Sequence, residues 1–171
     1  ITPSYVPESI TEEDVQNQNL LAVQAAVLSY GAFNLYSSAL KGIFETRKNP
    51  FWTLALSKPR GVFGNNFNAQ ENSEMYKAVS PIYNIPEIDE RKLPPQFITS
   101  ASEDRVTPVH AIEEYVKALK DAGQEVTYWE YKDQRHAYLD SGKTFLSGND
   151  FKRDAIPALK KIMNFLNSKL L

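Results

Sequence analysis

The strongest constraint on the fold is a strand, helix, strand order between residues 96 and 131. Gln96–Ala101 has the length and β-rich composition of a strand, and Val126–Tyr131 alternates β-branched, aromatic and polar side chains. Between them, apolar residues recur at helical spacing, namely Val109, Ile112, Val116 and Leu119. Two strands joined through a helix are typical of parallel pairing with a right-handed crossover, so the pattern predicts an α/β fold with a parallel sheet.

Residues on either side of the predicted helix indicate where it begins and ends. Thr107 is predicted as the N-cap of the helix, Pro108 as its first residue, and Gly123 as its stop. Upstream, residues 21–30 are almost continuously apolar and are closed by Gly31, which favours a strand buried on both faces, with a buried helix as the alternative.

The remaining segments are less regular. Residues 1–19 are predicted to form a loop with one short helix, and residues 32–81 either short helices around a pocket or an irregular layer on the core. Residues 151–170 are predicted to form a final helix, in which Pro157 is either an early-turn residue or a kink. Its predicted apolar stripe consists of Leu159, Ile162, Met163, Leu166 and Leu170.

Composition excludes several classes of function. A chain of 171 residues, 42% of them apolar, can bury one ordinary core, which predicts a single domain. The formal net charge of −2, without massed basic residues, argues against a nucleic-acid or anionic-membrane partner. The absence of cysteine excludes disulfides and a thiol nucleophile within these residues. We expect no membrane span, and the compartment stays open, with the cytoplasm favoured.

Two residues beyond the predicted strands have the chemistry of a catalytic pair. Asp104 follows the first strand by three residues and His136 follows the second by five. Neighbouring parallel strands present their carboxyl ends at one edge of the sheet, so both side chains are expected there. A histidine acting as general base needs an acceptor on its second ring nitrogen, and a carboxylate meets that need. The alternatives are a helix-entry acid for Asp104 and an ordinary loop histidine for His136.

Several motifs resemble one known family. They are residues 94–98, Asp104 with Val106 and Pro108, residues 119–123, residues 126–131 and residues 136–138, supported by Ser80-Pro81 and residues 28–31. Over about residues 20–140 the chain resembles the C-terminal part of α/β-hydrolase serine esterases and lipases, and within them the hormone-sensitive-lipase-like carboxylesterases. The resemblance implies a mostly parallel sheet with flanking helices and a cap-like insertion at 32–80. It also implies that Asp104 is the acid and His136 the base of a catalytic triad.

One departure from that family is large. The nucleophile elbow Gly-x-Ser-x-Gly does not occur in the sequence, and neither does a glycine-rich oxyanion segment. Ser29 lies inside a predicted strand and is not a candidate nucleophile. Because the chain also starts without Met or a signal pattern, we expect residues 1–171 to be the C-terminal part of one domain. Its partner would be the N-terminal portion that carries the serine, and without it the chain is expected to be inactive.

The resulting functional prediction is carboxylic ester hydrolysis on a small-molecule ester. Phe33, Tyr36 and Trp52 are predicted substrate-binding side chains in the insertion. No cofactor and no metal are expected, since the sequence contains two histidines, no cysteine and no H-E-x-x-H pattern. His110, near the start of the central helix, is not assigned a role. The alternatives are a peptidase of the prolyl-oligopeptidase type, a non-catalytic ligand-binding module of the same fold, and a doubly wound domain in which Asp104 and His136 are structural.

Overall fold

The computed structural model describes residues 23–42, 62–64, 66–140 and 148–171. Within these ranges the elements are, in chain order, β1 (Ala26–Ser29), α1 (Leu35–Leu40), α2 (Ser73–Ala78), β2 (Gln96–Ala101), α3 (Val109–Asp121), β3 (Val126–Tyr131) and α4 (Ile156–Leu170). A 3₁₀ turn at Pro81–Tyr83 follows α2, and a π-helical turn at Phe151–Ala155 leads into α4. The helix predicted within residues 1–19 lies outside the described residues.

The three strands form one parallel sheet in the order β1-β2-β3. Gln96 at the start of β2 aligns with Ala26 of β1 and with Val126 of β3. All six residues of β2 are buried, as expected for a strand with a neighbour on each side. The predicted α/β class, the parallel pairing and the bounds of the two later strands are therefore confirmed.

The first strand is shorter than the apolar run that predicted it. β1 occupies four residues of the expected 21–30, of which 21 and 22 lie outside the described residues. Tyr30 has a φ of +42°, which takes the chain out of the extended region and ends the strand. The strand is also only half-buried, because its outer edge has no partner among the described residues.

One face of the sheet is covered by α3. Ile98 packs against a buried apolar stripe of the helix that comprises Ile112, Tyr115, Val116 and Leu119. Phe33 joins this cluster, with its ring stacked on that of Tyr115 at a centroid distance of 4.1 Å. Each fully buried side chain of this size contributes roughly 1.5–3 kcal/mol, so this stripe is the main reason that α3 lies on the sheet.

The two ends of α3 compare differently with the prediction. Gly123 does stop the helix: its φ is +73°, and a Cβ there would lie 2.9 Å from the side chain of Ile88. At the other end Pro108 is the N-cap and provides no side-chain cap. The prediction that Thr107 caps the helix and that Pro108 is its first residue is wrong, because the Thr107 hydroxyl is bonded elsewhere.

The opposite face is covered by α4. Phe165 stacks on Phe97 at 5.3 Å, and Ala158 packs with Ala101 and Tyr138. The predicted apolar stripe is only partly confirmed, because Leu159, Met163 and Leu170 are exposed while Ala158 and Phe165 are buried. Because Ala158 is small, α4 can lie close to Tyr138. The face of α4 that meets the sheet is therefore the one that carries Ala158 and Phe165, not the stripe of large side chains. Pro157 lies in the first turn, where its missing N–H has no intrahelical partner to lose.

The insertion between β1 and β2 contributes a smaller cluster. Ala39, Ala69 and Tyr76 are buried together, with Tyr36 and Phe63 against them. The hydroxyl of Ser80 accepts from the Tyr36 amide at 3.0 Å and donates to the Tyr76 carbonyl at 2.6 Å, which ties α1 to α2. In the described parts of the chain, none of the helices has the length and apolar character needed to span a bilayer.

Candidate active site

Two loops leave the carboxyl ends of β2 and β3 and are hydrogen-bonded to each other. Ser102 N–H donates to the Tyr131 carbonyl at 2.9 Å, and Glu103 N–H donates to the Gln134 carbonyl at 2.8 Å. In the reverse direction, Asp133 N–H donates to the Ser102 hydroxyl at 2.8 Å. These bonds extend the β2–β3 pairing past the sheet and hold the two loops side by side.

The loops bring Asp104 and His136 into contact. His136 Nδ1 lies 2.8 Å from Asp104 Oδ2. The carboxylate side chain is completely inaccessible, whereas the imidazole is 33% exposed. The residues that the strand order predicted at one edge of the sheet do lie there together, with the acid inside and the histidine facing outward.

Asp104 is held by four hydrogen bonds. Oδ1 accepts from the amides of Val106 and Thr107 at 2.8 and 2.9 Å, and Oδ2 accepts from the Thr107 hydroxyl at 2.8 Å as well as from His136. Burial raises the pKa of Asp104, but the hydrogen bonds from His136, Thr107 and Val106 outweigh it and leave the pKa below its usual value. The group is therefore a carboxylate at neutral pH.

This charge state fixes the tautomer of His136. A carboxylate can only accept hydrogen bonds, so the proton of the contact belongs to His136 Nδ1. In the neutral ring the lone pair is then on Nε2, the nitrogen directed away from Asp104. An imidazole held in this way can take a proton at Nε2 while the carboxylate stabilises the resulting charge.

The histidine is positioned by residues from distant parts of the chain. The ring of Tyr30 lies 5.0 Å from the imidazole, centroid to centroid, at an interplanar angle of 60°. Asn149, which precedes the π-helical turn, donates from Nδ2 to the His136 carbonyl at 2.8 Å. Ala137 has a φ of +64°, so the loop turns sharply directly after the histidine.

Sequence reasoning missed three of these contributors. Thr107 was expected to cap α3, yet its spacing of three residues from Asp104 is typical of a local side-chain-to-backbone turn and was the available signal. Tyr30 and Asn149 carry no such signal, because each reaches the site only through the tertiary fold.

Two of the predicted substrate-binding residues, Phe33 and Tyr36, lie in different clusters. Phe33 is buried in the core beneath α3, and Tyr36 lies against the small α1–α2 cluster. Trp52 lies outside the described residues. Their role in substrate binding stays a prediction. Ser29 is the last residue of β1, and His110 is exposed on α3.

A metal site needs several ligand side chains grouped together. Among residues 23–42, 62–64, 66–140 and 148–171, no cluster of three or more His, Cys, Asp or Glu side chains is arranged to hold a metal ion.

Comparison with known proteins gives a family and a set of similar folds. A family model described as the alpha/beta hydrolase fold matches residues 11–140. Pyrococcus horikoshii acylaminoacyl peptidase is similar with a TM-score of 0.58 and 23% identity, over 86% of this chain and 20% of the peptidase. The Thermogutta terrifontis esterase Est2 is similar with a TM-score of 0.52 and 19% identity, over 97% of this chain and 49% of the esterase. A puromycin-hydrolyzing peptidase of Mycobacterium tuberculosis has a TM-score of 0.57 and 18% identity, over 86% of this chain and 18% of the peptidase.

No curated protein matches the sequence. At these identities the structural likenesses establish the fold alone, and the chain spans half or less of each of the three proteins. The family match extends over most of the sequence, from the segment before β1 to the loop that carries His136. The chain therefore belongs to the alpha/beta hydrolase fold family.

Proposed function

We propose that this chain supplies the acid and the base of a serine-type carboxylic ester hydrolase. The observation that carries the proposal is the 2.8 Å contact between His136 Nδ1 and a fully buried, ionised Asp104. Buried carboxylates usually pair with fixed cations or backbone donors, and a partly exposed imidazole is a partner that can exchange a proton with a ligand. The pair lies beyond the carboxyl ends of parallel strands, which is where ligands bind in such sheets.

The mechanism follows from the tautomer. A serine hydroxyl attacks the ester carbonyl and gives its proton to His136 Nε2, while Asp104 stabilises the imidazolium. The imidazolium then protonates the leaving alcohol, and an acyl-serine forms. Water repeats the sequence: it loses a proton to Nε2, attacks the acyl group, and the proton returns to the serine as the acid departs.

The serine and the oxyanion donors are proposed to come from an N-terminal portion of the same domain, upstream of Ile1. The outer edge of β1 has no partner strand in the described parts of the chain. Ile156, Leu159, Met163 and Leu170 form an exposed apolar row on α4. A free parallel edge and an uncovered apolar helix face are both costly in water, which supports further chain packing against these surfaces.

The substrate is proposed to be a small-molecule ester. Phe33, Tyr36 and Trp52 remain the proposed contributors to its pocket, although the burial of Phe33 beneath α3 means that it would act by shaping the core rather than by touching the ligand. A peptidase of the prolyl-oligopeptidase type is the second candidate, because the same pair serves amide hydrolysis. A non-catalytic binding module is the third, and it predicts a residue other than serine at the upstream elbow.

The test uses the complete protein with p-nitrophenyl acetate and a matched p-nitroanilide. We expect His136→Ala and Asp104→Ala each to lower turnover at least about 10³-fold, because each removes a member of the acid–base pair. His110→Ala and Asp89→Ala, which alter exposed residues that make no hydrogen bond to Asp104 or His136, are matched controls and should retain turnover. Near-normal ester turnover in both site variants would refute the mechanism. Preference for the anilide would favour the peptidase, and residues 1–171 alone should hydrolyse neither.

A further inference from the structure

Thr107 lies where the three elements of the site converge. It is 6% exposed, and its hydroxyl is 2.8 Å from Asp104 Oδ2 and 3.1 Å from the main-chain carbonyl of Tyr30. His136 Nδ1 is 3.4 Å from the same hydroxyl. One side chain from the loop just before α3 thus touches the end of β1, the acid after β2 and the histidine after β3.

The acceptor in β1 is presented by an unusual backbone conformation. Tyr30 N–H makes the last ladder bond, to the Thr99 carbonyl at 2.9 Å, and the residue then adopts a φ of +42°. Bulky side chains rarely occupy this left-handed region, and such residues cluster at functional sites where the surrounding structure enforces them. Here the conformation accompanies two contacts: the carbonyl meets Thr107, and the ring meets His136.

We propose that Thr107, whose single hydroxyl proton is shared between Asp104 Oδ2 and the Tyr30 carbonyl, is a positioning residue that keeps Asp104 Oδ2 directed at His136 Nδ1. The inference rests on the proposed function for its kinetic consequence but not for its geometry. The terminal torsion of an aspartate is broad, and the two backbone amides hold only Oδ1. Thr107 is the residue whose hydroxyl holds Oδ2, the oxygen that the histidine uses.

A simple capping role does not account for the hydroxyl. Thr107 is not the N-cap of α3, and the residue that is, Pro108, provides no side-chain cap. The Thr107 amide does contribute locally, to Asp104 Oδ1 at 2.9 Å, but the hydroxyl reaches across to β1. The methyl and hydroxyl groups can therefore be tested separately.

The experiment compares Thr107→Val, which keeps the shape and removes the hydroxyl, with Thr107→Ser, which keeps the hydroxyl. Both are made in the complete protein, with Thr127→Val, at an exposed residue of β3, as the matched control. We expect Thr107→Val to lower kcat about 10- to 100-fold with little change in KM, because a misdirected acid affects the chemical step more than substrate binding. Thr107→Ser should recover most of the loss.

The second readout is independent of activity. The Nδ1–H proton of His136 is followed by NMR and identified by its disappearance in His136→Gln. In Thr107→Val it should exchange with solvent at least about tenfold faster than in the wild type or in Thr127→Val, because its acceptor is less well held. Unchanged exchange in a folded Thr107→Val protein would overturn the inference whatever the kinetics show.

The two proposals fail in different ways. If His136→Ala retains ester turnover while Thr107→Val still accelerates Nδ1–H exchange, the hydrolase mechanism is wrong and the positioning role stands. If Thr107→Val does not fold, as judged by circular dichroism, Thr107→Ala is measured by the same exchange experiment. Exchange as slow as in the wild type would again reject the role of the hydroxyl.

Discussion

The loop that carries Asp104 and the loop that carries His136 are held by opposite means. Three of the four hydrogen bonds to the Asp104 carboxylate come from residues two or three positions further along the chain. His136 is held by Asp104, Tyr30 and Asn149, which come from three separate parts of the chain. The acid is therefore held mainly by residues of its own loop, whereas the base is held by groups from distant parts of the chain. Changes far from the site should disturb the histidine before they disturb the aspartate.

The largest expected effect comes from Asp104→Asn, which replaces the hydrogen-bond acceptor that faces His136 with a donor. In Asp104→Asn the local amides can still be satisfied by the amide oxygen, but an NH₂ group facing His136 would select the wrong tautomer. Turnover of p-nitrophenyl acetate by the complete protein should fall by about 10⁴-fold, the size of the loss when the triad acid of a serine protease is changed in this way. A loss below about tenfold would mean that the ionised acid is not required.

Acid stability compares the Asp104 loop with a second buried carboxylate near the start of α4. Asp154 accepts from Arg153 Nε at 2.6 Å, and its hydrogen bonds with Arg153 hold its pKa below the usual value. The pKa of Asp104 is also lowered, since its hydrogen bonds outweigh the effect of burial. A carboxyl group with a lowered folded-state pKa stabilises the fold above its unfolded pKa, and this contribution is lost as the pH falls through the folded value.

The free energy of unfolding should therefore decrease as the pH is lowered below about 4, near the unfolded pKa of aspartate. Urea denaturation between pH 6 and pH 3 measures the slope. Both Asp104→Asn and Asp154→Asn should flatten it, whereas exposed Asp89→Asn serves as the matched control. A slope identical to that of the wild type in both buried variants would contradict the expected sign of the pH dependence.

The dependence of His136 on distant residues is tested by Asn149→Ala. This change removes the donor to the part-buried His136 carbonyl, at a cost of about 1 kcal/mol in unfolding free energy. Turnover should also fall, by roughly tenfold, as the loop loosens. Asn164→Ala, on the exposed side of α4, is the matched control. An equal effect of the two variants in the unfolding and turnover assays would remove Asn149 from the support of the loop.

The smallest expected effect concerns the turn after the histidine. Ala137→Gly relieves a left-handed alanine, which costs about 1–2 kcal/mol, but adds freedom to the unfolded chain, worth about 0.4–1 kcal/mol. The net result should be a stabilisation of about 0.5–1 kcal/mol in thermal or urea unfolding. Ala118→Gly, in the regular part of α3, should instead destabilise by about 1 kcal/mol. The same sign in both would show that Ala137 is not strained.

The sequence signals that succeeded were short-range ones. The bounds of β2 and β3 follow from runs of six residues, and the end of α3 follows from a glycine that must adopt a positive φ. The contact between Asp104 and His136 follows from one further rule, that neighbouring parallel strands present their carboxyl ends at the same edge of the sheet. These predictions needed only periodicity, backbone sterics and chain order.

The predictions that failed concern contacts between residues that are far apart in the sequence. The apolar run at 21–30 could not reveal that Tyr30 leaves the strand to contact Thr107 and His136. The stripe on α4 could not reveal that Ala158 would turn the helix toward Tyr138. Threonine is a common N-cap residue, yet the hydroxyl of Thr107 donates a hydrogen bond to Asp104 instead.

By itself, the sequence determined the α/β alternation, the parallel strands and the position of one acid and one histidine beyond their ends. Each of these depends on residues close together in the chain, whose steric and hydrophobic preferences act before any fold exists. The tertiary structure decided the direction of each side chain at this edge of the sheet. It directs the Thr107 hydroxyl toward Asp104 and Tyr30, and it places the imidazole of His136 in contact with Asp104 and the Tyr30 ring. Such directions depend on which distant groups pack together, and periodicity along one strand or helix does not encode them.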